Sequence, residues 1–234
     1  MNCLKNKFIM EEKKTKTYEL PSDKPTIVEE PLAMYGRVLN LDESKCYTYA
    51  DYLTWLDDKR RELINGFIHL MSAPMRVHAV LSRRIAYPMI NHIEINNGNC
   101  QVFYAPFDVR IPKSKNETDD KQIYTVVQPD ICVVCNPEQL DEKGCLGAPD
   151  MIVEILSAST RKYDLTEKFN LYEASGVKEY WVVAPKEDVT VYLLQDDGKY
   201  DKGTVYGEYE QDVEVPVRTL SGLSINLKKL FAAY

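Results

Sequence analysis

Hydrophobic and polar positions follow recognisable patterns from about residue 45 onward in this 234-residue chain. The first predicted element is a short helix capped by Thr48. Two apolar runs flank Asn65-Gly66 and predict a β-hairpin, because both residues tolerate the positive φ angles of a two-residue turn. Residues 1–40 lack such periodicity and are rich in Lys, Glu and Pro. We therefore expect an N-terminal arm there and a single domain over residues 41–234.

Two later segments have apolar residues at three- and four-residue steps, the spacing of an amphipathic helix. The first begins at Val77 and ends near Gly98, and Pro88 inside it would kink or divide the helix. The second begins at Asp164. Gly176 follows it at the position where a helix commonly ends in a left-handed conformation.

Apolar runs without helical spacing predict strands on both sides of the second helix. Before it stand CQVFYAPFDVRIP, IYTVVQPDICVVC and PDMIVEILS, and after it stand KEYWVVAP and VTVYLLQ. We expect the first run to be one strand, the second to be interrupted at Pro129, and NPEQLDEKGCLGA to be a connection. The order helix, hairpin, helix, three strands, helix, strands predicts an α/β or mixed α+β fold with a substantially antiparallel sheet.

Composition and charge exclude some classes of protein. The chain is 44% hydrophobic and 28% charged, as globular domains are. No apolar run reaches the roughly 18 residues of a membrane span, and the first 20 residues lack the apolar core of a secretory signal. The net charge of −7 is not typical of a nucleic-acid-binding protein. However, a cluster of acids that binds a metal would add to that negative total.

The six cysteines have no dense, regular spacing. Cys132 and Cys135 stand three residues apart in an apolar run, so on a strand they would face opposite sides of the sheet. We expect buried, reduced thiols and a cytoplasmic location, with a zinc or redox site as the alternative.

One acidic residue interrupts the apolar pattern of a predicted strand. Glu154 lies in the middle of PDMIVEILS, where an unpaired carboxylate would cost several kcal/mol or more to bury. Asp130 begins the preceding strand, and adjacent strands could bring the two carboxylates together. Such a pair repels unless a cation lies between the two groups. Oxygen ligands suit Mg²⁺ or Mn²⁺, and the backbone carbonyl of Ile155 could complete the protein ligands.

A lysine on the next helix extends this group of residues. A bound metal lowers the pKa of its water and polarises a phosphoryl oxygen. Lys168 could orient or deprotonate the attacking water, or neutralise the charge that develops on the phosphate.

Four segments resemble the Uma-type endonucleases of the PD-(D/E)XK nuclease superfamily, over roughly residues 45–195. They are RRELINGFIHLMSAP, QPDICVV, PDMIVEILSAST and DLTEKFNLYEASGVKEYWVV, in the order of the family. The resemblance implies a restriction-endonuclease-like core, in which a mixed sheet is flanked by helices and metal carboxylates lie on neighbouring strands. It places the aspartate of the superfamily at Asp130 and the acidic residue of (D/E)XK at Glu154.

The chain departs from the superfamily pattern two residues after Glu154. Leu156 stands there instead of lysine, and Lys168 matches the displaced lysine of the narrower family. Glu62 matches the early acidic position of that family. Further candidates near the cleft are His78 and Tyr172.

These features predict a Mg²⁺- or Mn²⁺-dependent endonuclease that acts on DNA phosphodiesters. Five basic residues are candidate DNA contacts, namely Arg76, Arg83, Arg84, Arg161 and Lys162. A homodimer is expected because two copies would cut two strands. The alternative function is a catalytically inactive nuclease-fold module that binds nucleic acid or protein.

Each candidate residue could instead have a purely structural role. Asp130 could be a solvated residue at a strand entry, and Glu154 could form a buried salt bridge without a metal. Lys168 could be an exposed helix residue paired with Asp164. Finally, Glu62 could cap the hairpin, Tyr172 could be a core aromatic, and His78 could have no function.

Overall fold

Short helices and strands follow the chain as helix, hairpin, helix, strands, helix and strands, but the described residues form seven strands, not the predicted three, between the long helix and the next α-helix. The computed structural model describes residues 39–57, 59–73, 75–114, 116–158, 160–207 and 211–233. The predicted arm lies outside these residues, apart from positions 39 and 40. The first helix, α1 (Tyr49–Tyr52), is capped by Thr48, whose side chain accepts the backbone N–H of Asp51. The predicted cap is therefore confirmed.

The predicted hairpin is also present. It consists of β1 (Arg61–Ile64) and β2 (Phe67–Leu70), and the turn residues Asn65 and Gly66 have φ angles of 53° and 87°. The long helix, α2 (Arg76–Ile95), is continuous through Pro88, so the predicted division does not occur.

A six-stranded sheet contains the hairpin at one edge. Across the sheet the strands are β2, β1, β5 (Val126–Val127), β4 (Val109–Arg110), β8 (Gly144–Leu146) and β7 (Leu140–Asp141). Strands β4 and β8 are parallel, and the other pairs are antiparallel. The segment expected as a plain connection thus contributes a small hairpin, β7–β8.

A second six-stranded sheet crosses the middle of the fold. Its order is β12 (Thr204–Tyr206), β11 (Asp188–Leu193), β10 (Glu179–Ala184), β9 (Met151–Ile155), β6 (Ile131–Val134) and β3 (Gln101–Tyr104). Only β9 and β10 are parallel within this sheet. The fold is therefore mixed α+β with mixed sheets flanked by helices, as predicted.

The run CQVFYAPFDVRIP differs from the prediction. It forms β3 and β4, which belong to different sheets. Pro106 lies between them and has no N–H with which to continue a ladder.

A helical crossover joins β9 to β10. It comprises α3 (Arg161–Tyr163), a π-helical turn (Asp164–Lys168) and α4 (Phe169–Ser175). Gly176 ends it with φ 88°, as predicted. The helix begins three residues earlier than expected.

The second sheet is buried on both faces. On one face, Ile131 and Val153 pack with Leu81 of α2 and with the C-terminal elements β13 (Glu214–Pro216), β14 (Ser224–Asn226) and α5 (Leu227–Leu230). On the other face, Cys132 and Ile152 pack with Tyr172 of α4. Because side chains alternate along a strand, Asp130 and Glu154 are expected on the same face of the sheet as Cys132 and Ile152.

A disulfide joins Cys100 to Cys135 at the end of the β3–β6 ladder. The expectation of a reduced thiol is therefore wrong for Cys135. The free cysteines among the described residues are Cys46, which is exposed, and Cys132 and Cys145, which are buried. None of the described helices is both long and apolar enough to cross a membrane.

Candidate active site

The strand register brings Asp130 and Glu154 to one place. Strands β6 and β9 are antiparallel with Ile131 opposite Val153, and one further step sets Asp130 opposite Glu154. The backbone N–H of Ile155 donates to Asp130 Oδ2 at 2.7 Å. Glu154 is 4% exposed, whereas Asp130 is only partly buried. One carboxylate thus lies inside the protein, and the other is partly open to solvent.

The crossover helix supplies a buried lysine. Lys168 Nζ lies 2.9 Å from Glu154 Oε1 and 3.0 Å from Glu62 Oε1. Asp164 Oδ1 is 3.9 Å away. Burial by itself would lower the pKa of Lys168, but the charges of Glu154, Glu62 and Asp164 raise it well above its usual range. The ammonium is therefore charged at neutral pH.

Glu154 is the most constrained of the acids. Tyr172 donates its hydroxyl to Glu154 Oε1 at 2.7 Å, the same oxygen that receives Lys168. Burial raises the pKa of Glu154 to about 8; Lys168 opposes the rise, and the carboxylates of Asp164, Asp130 and Glu62 add to it. A further cation beside Glu154 would offset these unfavourable contributions.

Glu62 extends into the same cavity from β1. Its Oε1 accepts the backbone N–H of Gln128 at 2.8 Å, and its Oε2 accepts the Tyr163 hydroxyl at 3.3 Å. It is 1% exposed and lies in the strand, not at the turn. Glu62 is therefore not a cap of the hairpin.

The cavity has a volume of about 630 Å³. All four principal candidates line it, namely Glu62, Asp130, Glu154 and Lys168. The other main lining residues are His69, His78, Gln128, Ile155, Tyr163 and Asp164. Glu43 and Arg60 also line the cavity. Apart from the two histidines, the lining therefore contains five acidic and two basic residues. The site therefore has an excess of carboxylates.

Three of the candidate residues also have clear structural contacts. Glu154 does form the buried salt bridge, with Lys168 as its partner. Lys168 also contacts Asp164, but it is 3% exposed, so it is not a surface lysine. Tyr172 is fully buried as a core aromatic, and its hydroxyl binds Glu154.

His78 and Asp164 stand beside the principal residues. His78 Nδ1 lies 3.7 Å from Asp130 Oδ2, and its interaction with the Asp130 carboxylate raises the pKa of His78. Burial raises the pKa of Asp164. The sequence indicated Asp164 only as a partner of Lys168, although its i−4 spacing places both on one helical face. Gln128 and His69 had no signal that distinguished them from ordinary strand residues.

The candidate DNA contacts have different positions. Arg76 and Arg83 on α2 are exposed, as are Arg161 and Lys162 on α3. Arg161 pairs with Glu187 at 3.2 Å. Arg84 differs from the expectation, because its guanidinium donates to the backbone oxygens of Leu230 and Ala232 at 2.9 and 2.7 Å. It fastens the C-terminal segment to α2, and we do not retain it as a DNA contact.

Within the described part of the chain, no group of three or more His, Cys, Asp or Glu side chains is arranged to hold a metal ion. The predicted ligand set contains only two such side chains, Asp130 and Glu154, besides the Ile155 carbonyl, so it stays a prediction.

A family model described as "Putative restriction endonuclease" matches residues 49–228. The chain belongs to the Uma2 family. The likeness of this Uma2 chain also extends to solved structures. A nuclease of DUF820 from Anabaena variabilis, described as putative, has a TM-score of 0.61 and 20% sequence identity, covering 79% of this chain and 97% of that one. This likeness supports the nuclease-like fold.

A curated relative is "Uncharacterized protein slr1290" of Synechocystis sp.. It is 29% identical over 154 residues, which are 64% of this Uma2-family chain and 75% of that protein. Membership of Uma2, whose model is described as "Putative restriction endonuclease", supports a nuclease.

Proposed function

We propose that this chain is a metal-dependent endonuclease that hydrolyses DNA phosphodiester bonds. The observation that supports this proposal best is the convergence of Glu62, Asp130, Glu154 and Lys168 on one open cavity. These four residues come from four separate elements or strand ends, and together they place one ammonium and three carboxylates on the wall of the same cavity.

The donor set fits Mg²⁺ or Mn²⁺. Magnesium is usually held by one or two carboxylates, with water and substrate phosphate in the remaining positions, so a cluster of three side chains is not needed. Asp130, Glu154 and the Ile155 carbonyl would hold the ion. When bound, it polarises a phosphoryl oxygen and lowers the pKa of a coordinated water.

Lys168 would act as a fixed positive charge. Its pKa is raised, so the ammonium is a poor proton acceptor and is better suited to binding the scissile phosphate or orienting the water. Glu62 and Glu154 fix the position of the ammonium, and Tyr172 fixes Glu154. His78 would position Asp130.

The first test is nicking of supercoiled plasmid in Mg²⁺ or Mn²⁺ by wild-type protein and by Glu154→Gln. We expect wild type to nick the plasmid and the variant to lose about 100-fold or more in rate, because one metal ligand is lost. Glu138→Gln changes an exposed acid outside the cavity and should retain the wild-type rate. Equal rates for all three proteins would contradict the proposed site.

One observation favours the inactive binding module instead. Glu154 already has Lys168 and Tyr172 as partners, so the fold does not require a metal there. Wild-type protein that binds DNA but does not cleave it in any divalent ion would establish this second function. The proposed homodimer is tested separately, by the sedimentation-equilibrium mass of the full chain.

A further inference from the structure

A second cavity adjoins the first. Its volume is about 400 Å³, within the range of about 300–1,000 Å³ that is typical of small-molecule sites. Arg60, His78 and Asp130 line both cavities. A ligand that extends from the metal candidates past Asp130 would therefore enter the second cavity.

One stripe of α2 builds most of this cavity. Ala79, Ser82 and Ala86 recur at helical spacing and leave room because their side chains are small. Tyr87 stands on the same stripe, and Tyr104 at the end of β3 also lines the cavity. Their side chains are 69% and 59% exposed. Two large aromatic rings therefore lie at the edge of the second cavity, which we call the slot, and small residues form its floor.

The charges around this slot are placed for a nucleotide. Arg83 is exposed and lines it, and Arg60 lies where the two cavities meet. The guanidinium of Arg60 donates to Gln128 Oε1 at 2.9 Å, which holds it at the boundary. A strand that presents a phosphate to Asp130 and Glu154 could place its neighbouring base between the tyrosines and its neighbouring phosphate near Arg83.

We propose that the second cavity binds the unstacked nucleobase of the nucleotide next to the scissile phosphate. This inference rests on the proposed nuclease function and adds a substrate class to it: DNA that is single-stranded or unpaired at the cleavage position. Aromatic side chains bind the faces of all bases, so the contact tolerates sequence. An intact duplex would first have to unstack the base, which costs free energy.

The substrate preference is measured first, with the full chain and Mg²⁺. Three labelled DNAs of the same sequence are compared: a single strand, the matched duplex, and the duplex with one unpaired nucleotide at the mapped cleavage position. We expect the single strand and the unpaired duplex to be cleaved faster than the matched duplex. Faster cleavage of the matched duplex would overturn the inference and leave the nuclease proposal intact.

The base contact is measured by an abasic scan. Single-stranded oligonucleotides, each with one abasic position, are titrated against the full chain in Ca²⁺, which keeps the carboxylates occupied without cleavage. We expect one position beside the cleavage site to weaken binding about 5-fold or more, since base–aromatic stacking is worth about 1–3 kcal/mol. A uniform profile across all positions would overturn the inference.

Variants of the cavity connect that position to the tyrosines. In Tyr87→Ala and Tyr104→Ala, binding should weaken and the sensitive abasic position should lose its effect. Tyr87→Phe keeps the ring and should keep the effect. Ile95→Ala removes an exposed side chain from the same helix outside the cavity and should behave as wild type. An abasic effect that persists in both Ala variants would place the base elsewhere and overturn the assignment.

Two further outcomes separate the two proposals. DNA that is neither bound nor cleaved under any of these conditions would overturn the nuclease proposal, and this inference with it. A lower oligomeric mass of Tyr87→Ala, with cleavage and the abasic profile unchanged, would make the slot a contact between copies and overturn the inference alone.

Discussion

At the scale of single residues, the central feature is a buried lysine among carboxylates. Glu154 and Lys168 stabilise each other's buried charge, because burying either charge without the other would be costly. The sequence showed that Glu154 was out of place on an apolar strand, and the resemblance to Uma-type endonucleases identified Lys168. Neither showed that Tyr172 and Gln128 complete the hydrogen bonds of these acids, because such contacts join residues that are distant along the chain.

We predict that Lys168→Met abolishes nicking and destabilises the protein. Without the ammonium, Glu154 and Glu62 lose their buried cation, which typically costs about 3–5 kcal/mol. Urea denaturation in EDTA measures this loss in the free energy of unfolding.

Lys178→Met is the matched control for that variant. Lys178 is exposed and pairs with Asp150 at 2.6 Å, so its loss should cost about 1 kcal/mol or less. Equal destabilisation by the two variants would show that the buried position of Lys168 has no special energetic weight.

At the scale of elements, the long periodic helix and the hairpin with a clear turn signal were predictable, whereas the two-residue strands were not. Helix α2 and the β1–β2 hairpin have strong local patterns, namely helical spacing and Asn65-Gly66. Strands such as β4 and β7 have two residues each and depend on distant partners for their hydrogen bonds. The π-helical turn at Asp164–Lys168 was not predictable either, because its sequence also suits an α-helix.

The disulfide is a second element-scale feature that the spacing of the cysteines did not indicate. Cys100 and Cys135 continue the antiparallel register of β3 and β6, in which Gln101 is opposite Val134. Closing a loop of this sequence separation, 35 residues, restricts the unfolded chain. The bond thus adds a covalent link to an existing ladder.

We predict that Cys100→Ser lowers the free energy of unfolding by about 2–4 kcal/mol under oxidising conditions. Cys46→Ser changes an exposed free thiol and should have little effect. The intact mass after alkylation, with and without a reductant, reports the bond directly. A protein that alkylates at Cys135 without reductant would not contain it.

At the scale of the whole molecule, the net charge of −7 must be reconciled with the proposed DNA substrate, which is a polyanion. Several arginines are committed to internal pairs: Arg61 with Asp57, Arg110 with Asp141, and Arg84 with the C-terminal backbone. The exposed Arg76 and Arg83 on α2 remain for phosphate contacts. A divalent ion would reduce the repulsion between the DNA and the acidic cavity.

We predict that the affinity for DNA falls steeply as the salt concentration rises, in spite of the negative net charge. We also predict that the affinity increases when Ca²⁺ is added. Each phosphate contact contributes a slope of about −0.9 on duplex DNA and about −0.7 on single strands. Arg76→Ala should therefore reduce the magnitude of the slope by about the contribution of one phosphate contact.

Lys202→Ala is the control for Arg76→Ala and should leave the slope unchanged, because Lys202 is an exposed lysine in the loop before β12. The measurement is a titration of labelled DNA at several salt concentrations. Identical slopes for wild type and Arg76→Ala would remove Arg76 from the DNA surface.

The helical crossover between β9 and β10 has a consequence for how related chains are recognised. It returns the lysine to the Glu154 carboxylate 14 residues later in the chain, whereas the superfamily pattern places it two residues later. A search for fixed letter spacing would pass over this chain. A search for an ammonium within about 3 Å of a strand carboxylate, a normal distance for such a charged pair, would retrieve it, whichever segment supplies the lysine. For such chains, the useful template is the relative position of the two charged groups in three dimensions.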